Sequence, residues 1–209
     1  MGKTLDELID DAYDLNDEAP GDGHYDYPVS RIIGNRGYKA VCRRGKCAKQ
    51  PFTLTTVIGT REYAFPDTDA GKIVAVRLVK YLATGATDAV PLDIISINRV
   101  NTWRGSPAKY YINDTYVGVD PIPDGAYSLP CEGYEGPSAD IAGGIEPDFI
   151  PDDWQWVLSY FIVRGWAKMD EGKDPQTFIK WNSLYEEALG EMVSYFKTGT
   201  NAGRLPAVV

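Results

Sequence analysis

The sequence predicts an α+β fold, with helices at both chain ends and a small antiparallel sheet or barrel between them. Three observations carry this. Residues 4–50 and 151–197 repeat their apolar residues at helical spacing, whereas residues 52–134 are rich in Thr, Val, Ile and Tyr broken by turn formers. The chain is 209 residues long, enough for one large domain or two small ones, and 44% apolar, enough for a core.

The first helix opens on Thr4-x-x-Glu7, a capping-box spacing. Leu5, Leu8, Ile9, Ala12 and Leu15 then share one face, and Asp6, Glu7, Asp10, Asp11 and Asp14 the other. A helix this short must dock on something to persist. Residues 16–27 read as a loop. Asp14, Asn16 and Glu18 alternate as in a calcium loop, but Ala19 stands where that loop needs Gly and Tyr25 where it needs Glu. A second helix is predicted from Pro28 to about residue 50, with a face of small residues that lets a neighbour approach closely. Arg36, Lys39, Arg43 and Lys46 form a separate basic stripe on it, at spacings of three and four.

Strands are predicted at 52–57, 61–65, 74–81, 109–112, 116–119 and 127–129. Gly59-Thr60 and Asn113-Asp114 supply hairpin turns, and residues 91–103 have room for a short helix. Residues 135–150, full of Gly, Pro and acid, read as a long loop. Pro151 then opens a helix to about Asp170 that is apolar nearly all round, and so buried on more than one side. Asp174-Pro175 caps the last helix, striped by Phe178, Trp181, Tyr185, Leu189, Met192 and Phe196 and ending near Gly199. Residues 198–209 lack helical pattern; Arg204, Leu205, Val208 and Val209 make them an apolar, β-prone tail suited to docking on a partner.

Charge is unevenly spread. Net charge is −9, against a protein that coats nucleic acid over its whole surface. Yet residues 1–27 hold nine acids and one Lys, and residues 31–50 seven Lys or Arg and no acid. Blocks of opposite sign suggest pairing within the chain or between copies, or else two solvated faces.

Reactive chemistry is scarce. The one histidine, His24, lies in the acidic loop. Cys42 and Cys47, five apart on a predicted helix, would point about 140° apart and could not grip one metal. Gly71-Lys72 is followed by Ile73, so there is no phosphate loop, and adjacent carboxylates such as Asp152/Asp153 diverge on a helix. No catalytic residue, metal site or cofactor is expected. Three cysteines, no signal-like start and no long apolar run lead to the expectation of an intracellular origin and no membrane helix. Gly2 does not make a myristoylation motif, because position 6 is Asp. Abundant aromatics without a reactive constellation point to assembly.

Several stretches then fit one pattern in order: TLDELIDDA, Asn35, TTVIGTREYAFP, SPAKYYINDTYVGVDPIPDGAYSL, Ile150-Pro151 before an aromatic helix, and FIKWNSLYEEAL. The Gly59-Thr60-x-x-Tyr63 and Pro121-x-Pro123-Asp124 turns are the most telling. Together they resemble the head-to-tail connector (adaptor) proteins of tailed bacteriophages, although the second helix is richer in Gly and basic residues and the 135–149 loop is long. The resemblance implies a non-enzymatic structural protein at the head–tail junction of the virion, made in the host bacterial cytoplasm. It implies a homo-oligomeric ring, typically twelve-fold, between the portal protein and tail or nozzle proteins. Genomic DNA would make transient, non-specific contact in its channel. It implies a helical bundle from both chain ends (1–50 and 151–197) with an inserted β domain (51–134). The basic stripe would face the DNA channel or an acidic neighbour, and the tail would dock on the portal or an adjacent subunit. Two other readings stand beside it. One is another virion ring, such as a tail-tube or terminator protein. The other is a stand-alone β-rich carbohydrate-binding module, with Trp103, Tyr110, Tyr111, Tyr116 and Tyr127 stacking on sugars.

Overall fold

Thr4 caps the first helix as its spacing predicts. Its hydroxyl accepts from the Glu7 backbone N–H at 3.3 Å, and the Glu7 carboxylate accepts from the Thr4 N–H at 2.7 Å. The computed structural model, which describes residues 2–17, 25–83, 85–170, 172 and 174–197, divides into two units. These are Met1–Cys47 with Ala139–Val209, and Ala48–Ser138.

The first unit holds α1 (Leu5–Asn16), α2 (Tyr27–Gly45), α3 (Trp156–Met169) and α4 (Pro175–Lys197). α3 touches all three others, which explains its nearly all-round apolar surface. Leu5, Ile9, Tyr13, Ile33, Ile162, Trp166 and Trp181 make one buried cluster, with Phe178 packed against it. Leu8, Tyr38, Val41, Leu158, Tyr185, Leu189 and Met192 make another. A Cβ on Gly37 would stand 2.6 Å from the Phe161 ring, so its missing side chain lets α2 close on α3.

Several boundaries differ from the sequence reading. α2 stops at Gly45, where Lys46 turns left-handed (φ 54°) and its N–H bonds to the Cys42 carbonyl at 3.1 Å. Ala48 then pairs with Glu135 in a sheet, so strand pairing overrides helical continuation. Pro151 opens not α3 but a short 3₁₀ turn, Asp152–Trp154, that leads into it. Residues 135–136 are strand, not loop.

The rest of that segment is irregular but tied down. The Asn35 amide donates to the Ile141 carbonyl (3.0 Å) and accepts from the Ile141 N–H (2.8 Å). Two orphan N–H groups at the start of α1, on Leu5 and Asp6, bond to the carbonyls of Ile145 and Gly143. Tyr38 Oη accepts from the Phe149 N–H at 3.0 Å.

The second unit contains β1 (Ala48–Thr55), β2 (Glu62–Ala64), β3 (Lys72–Tyr81), β4 (Val90–Pro91) and β5 (Asp93–Ile94). After these come β6 (Arg104–Gly105), β7 (Lys109–Asn113), β8 (Tyr116–Asp120), β9 (Ile122–Pro123) and β10 (Ser128–Gly136). The sheets run β1-β10-β3-β4, β2-β8-β7-β5 and β6-β9. Most pairs are antiparallel, as expected, but β5/β7 and β6/β9 are parallel. Residues 91–103 hold short strands and a 3₁₀ turn, Ile97–Arg99. The β7–β8 hairpin turns at Asp114 (φ 49°), with Asn113 already paired to Tyr116, one residue later than predicted. β10 is three times the length expected, because Pro130 and Gly133 disguise it in sequence. It absorbs them with register shifts against β3, and a Cβ on Gly133 would lie 2.9 Å from the Ala75 carbonyl. Leu54, Val79, Tyr110, Val117, Val119 and Leu129 fill this unit's core.

Candidate functional site

α2 sets the basic surface. Asp26 caps it by accepting from the Val29 N–H at 3.0 Å, and Ile33, Gly34, Gly37, Tyr38 and Val41 bury its inner face. Arg36, Lys39 and Arg43 are therefore left on the exposed side. Lys46 is exposed too, but sits on the cap beyond the helix and not in line with the other three. Lys39 pairs with Asp140 at 2.6 Å, while Arg36 has no ion-pair partner among the described residues.

Two cations off that stripe also tie segments together, each through a pair of bonds. Arg31 makes a two-pronged bond to Asp6, at 2.8 and 2.6 Å, which directly joins the basic block to the acidic one. Arg44 grips Glu186 the same way, at 2.9 and 2.6 Å, and holds that carboxyl below its usual range. Each adjoins a position that the fold buries, Ser30 or Gly45, and their acidic partners lie 25 and 142 residues away in the chain.

On the opposite charge, Asp10, Asp14 and Asp17 are exposed on or just after α1. Asp11, Asp14 and Leu15 of α1 and Trp156, Ser159 and Tyr160 of α3 line an open groove of about 450 Å³. Leu15 belongs by its spacing to the α1 core stripe, yet it is 40% exposed on this groove.

The two telling turns of the β unit prove to be one structure. Tyr63 Oη accepts from the Val57 N–H (3.0 Å) and donates to the Thr60 carbonyl (2.6 Å), which fixes the Gly59 turn at φ 80°. That turn is fastened to the second by Gly59 N–H to the Pro123 carbonyl at 2.9 Å. Thr56 adds bonds to Gly125 and Tyr127. Buried Asp120 accepts from the Asn101 backbone and side chain, at 2.6 and 2.9 Å. Gly59, Tyr63, Pro123 and Asp124 are thus residues of a loop clasp, from which Val57, Ile58 and Trp103 project into solvent.

The sugar-stacking set is not assembled. Tyr110 and Tyr111 are buried in the unit, and Tyr127 lies edge-on to Tyr81 and bonds to Asp124. Burial pushes the thiols of Cys47 and Cys131 up to about 12 and that of Cys42 higher still, so all three stay protonated at neutral pH. Among the described residues no group of three or more His, Cys, Asp or Glu is placed to hold a metal, and no helix is long and apolar enough to cross a membrane. His24 and the tail residues Arg204, Leu205, Val208 and Val209 lie outside the described residues.

A family model described as SU10 adaptor protein matches residues 3–208. No curated protein matches the chain.

Proposed function

The chain belongs to the SU10 adaptor protein family, and from that premise we propose that it forms a connector ring between the portal and the tail of a phage virion. The family is one of phage head–tail adaptors: structural virion proteins that engage other virion components and are not normally enzymes. The match over residues 3–208 is the observation that carries the proposal, because it takes in both units. The ring, typically twelve-fold in such connectors, joins portal protein on one side to tail or nozzle proteins on the other, and DNA passes through its centre. The helices of both chain ends act as one bundle that carries the β unit as an insertion, and residues 198–209 dock on the portal or an adjacent subunit.

The exposed Arg36, Lys39 and Arg43, with Lys46 beside them, serve as a long-range electrostatic surface toward the channel DNA or an acidic neighbour such as α1 of the next copy. Sliding DNA requires attraction without tight contacts, and such attraction is screened over about 10 Å at moderate salt.

Electron cryo-microscopy of purified virions tests this: ring density between head and tail that fits both units is expected, and absence of the protein from virions overturns it. Reversing Arg36, Lys39 and Arg43 to Glu should weaken ring attachment or genome retention in a salt-dependent way. Wild-type particles at all salt concentrations would remove the stripe from the proposal.

A further inference from the structure

The groove between α1 and α3 lies next to the root of the chain's own tail. α4 ends at Lys197. Its last aromatic residues, Tyr195 and Phe196, pack on Trp154, with ring centroids 5.6 and 6.5 Å away. Trp154 stacks on Trp156 at 6.0 Å, and Trp156 meets Tyr160 at 5.5 Å. Trp156 and Tyr160 form the apolar wall of the groove, so a continuous aromatic path leads from the end of α4 into it.

The groove also suits the residues beyond Lys197. Its apolar surface, Leu15 and Trp156, is 40% and 37% exposed. Its rim is acidic: Asp11 shares its charge with Lys3, and Asp14 is exposed with no cation beside it among the described residues. Residues 198–209 carry one charged side chain, Arg204, then Leu205, Val208 and Val209. Arg204 is seven positions beyond Lys197, and an extended chain covers that distance with a reach of roughly 25 Å. Pro206 favours the extended backbone such a path needs.

We propose that this groove is the docking site of the chain's own residues 198–209 before assembly, with Arg204 against Asp14 and Leu205 and Val208 over Leu15 and Trp156. A docked tail is withheld from other surfaces, so engaging the portal or a neighbour would require its release. The docking itself can be measured on the free chain, so it stands or falls apart from the connector reading.

The full-length chain labelled with 5-fluorotryptophan tests it by fluorine NMR, with the Trp156 signal assigned from Trp156→Phe. In Leu205→Asp/Val208→Asp, the Trp156 signal is expected to shift and to relax faster with a soluble gadolinium chelate, at unchanged helix content. Arg204→Asp should do the same at low salt, and adding Asp14→Arg should restore the original signal by swapping the charges. A Trp156 signal identical in wild type and the tail variants overturns the proposal. A signal that reverts on dilution also overturns it, because the groove then holds another copy's tail.

Discussion

The helical unit and the β unit are locked in different ways. In the helical unit, buried polar groups bridge distant parts of the chain. Asn35 holds Ile141, Ser159 holds the Leu8 carbonyl, and Trp166 donates to Ser30, across separations of 106, 151 and 136 residues. In the β unit the locks join turns of one unbroken segment: Tyr63 spans six residues to Val57, and Asp120 nineteen to Asn101. One unit is drawn from both chain ends; the other is a single unbroken segment.

The strongest test of that contrast is Trp166→Ala. The indole is 1% exposed, stacks on Tyr25 at 5.3 Å and reaches Ser30, so its loss should cost about 3–5 kcal/mol. Urea unfolding followed by far-UV circular dichroism should show the helical signal lost early while amide exchange in β3 and β10 stays protected. Simultaneous loss of both would mean that the units do not hold themselves separately. Asn35→Ala comes next, at about 2–3 kcal/mol, because both the N–H and the carbonyl of Ile141 lose their partner. Asn35→Asp should recover only part, since a carboxylate can accept from the N–H but cannot donate to the carbonyl; exchange of the Ile141 amide reads the difference.

Tyr63→Phe should cost about 1 kcal/mol and be felt only in the β unit, as faster exchange at Val57 with the helical melt unchanged. The smallest effect concerns pH. Arg44 lowers the Glu186 pKa from its usual 4.5, so the pair's contribution is present above 4.5 and lost as pH falls through the lower folded value. Both side chains are nearly half exposed, which limits the contribution to under about 1 kcal/mol. Arg44→Ala should flatten the acid limb of a pH–stability curve, and high salt should shrink the difference between the two proteins.

Legibility in the sequence divides along the same line. Local signals are reliable: the Thr4–Glu7 box, the α4 stripe and the strong helical period are set by neighbours three or four residues away. Signals fail where a distant partner decides. Lys46 continues a helical spacing, yet the pairing of Ala48 with Glu135 ends the helix before it. β10 is hidden by Pro130 and Gly133, whose cost is met by β1 and β3 on either side. For the candidate site, spacing alone indicates that Arg36, Lys39 and Arg43 share a face. It cannot give Lys39 its partner, Asp140, which is 101 residues on, nor the groove, which exists only because α1 packs on α3.

The pairing of Ala48 with Glu135 also bears on how the chain matures as it is synthesised. The β unit is contiguous, so it can close as soon as it clears the ribosome, while α1 and α2 wait for partners not yet translated. Helices normally gain speed from contacts close in sequence; α1 and α2 touch each other, but α3, which packs on both, comes after the whole insert. Once β1 and β10 zip together, however, the residues leaving α2 and those entering the Ile141 segment emerge side by side from one end of a strand pair. The insert then acts as a clip that turns a search over some ninety residues into the closure of a short loop, which removes much of the entropic penalty for joining the two halves of the helical unit.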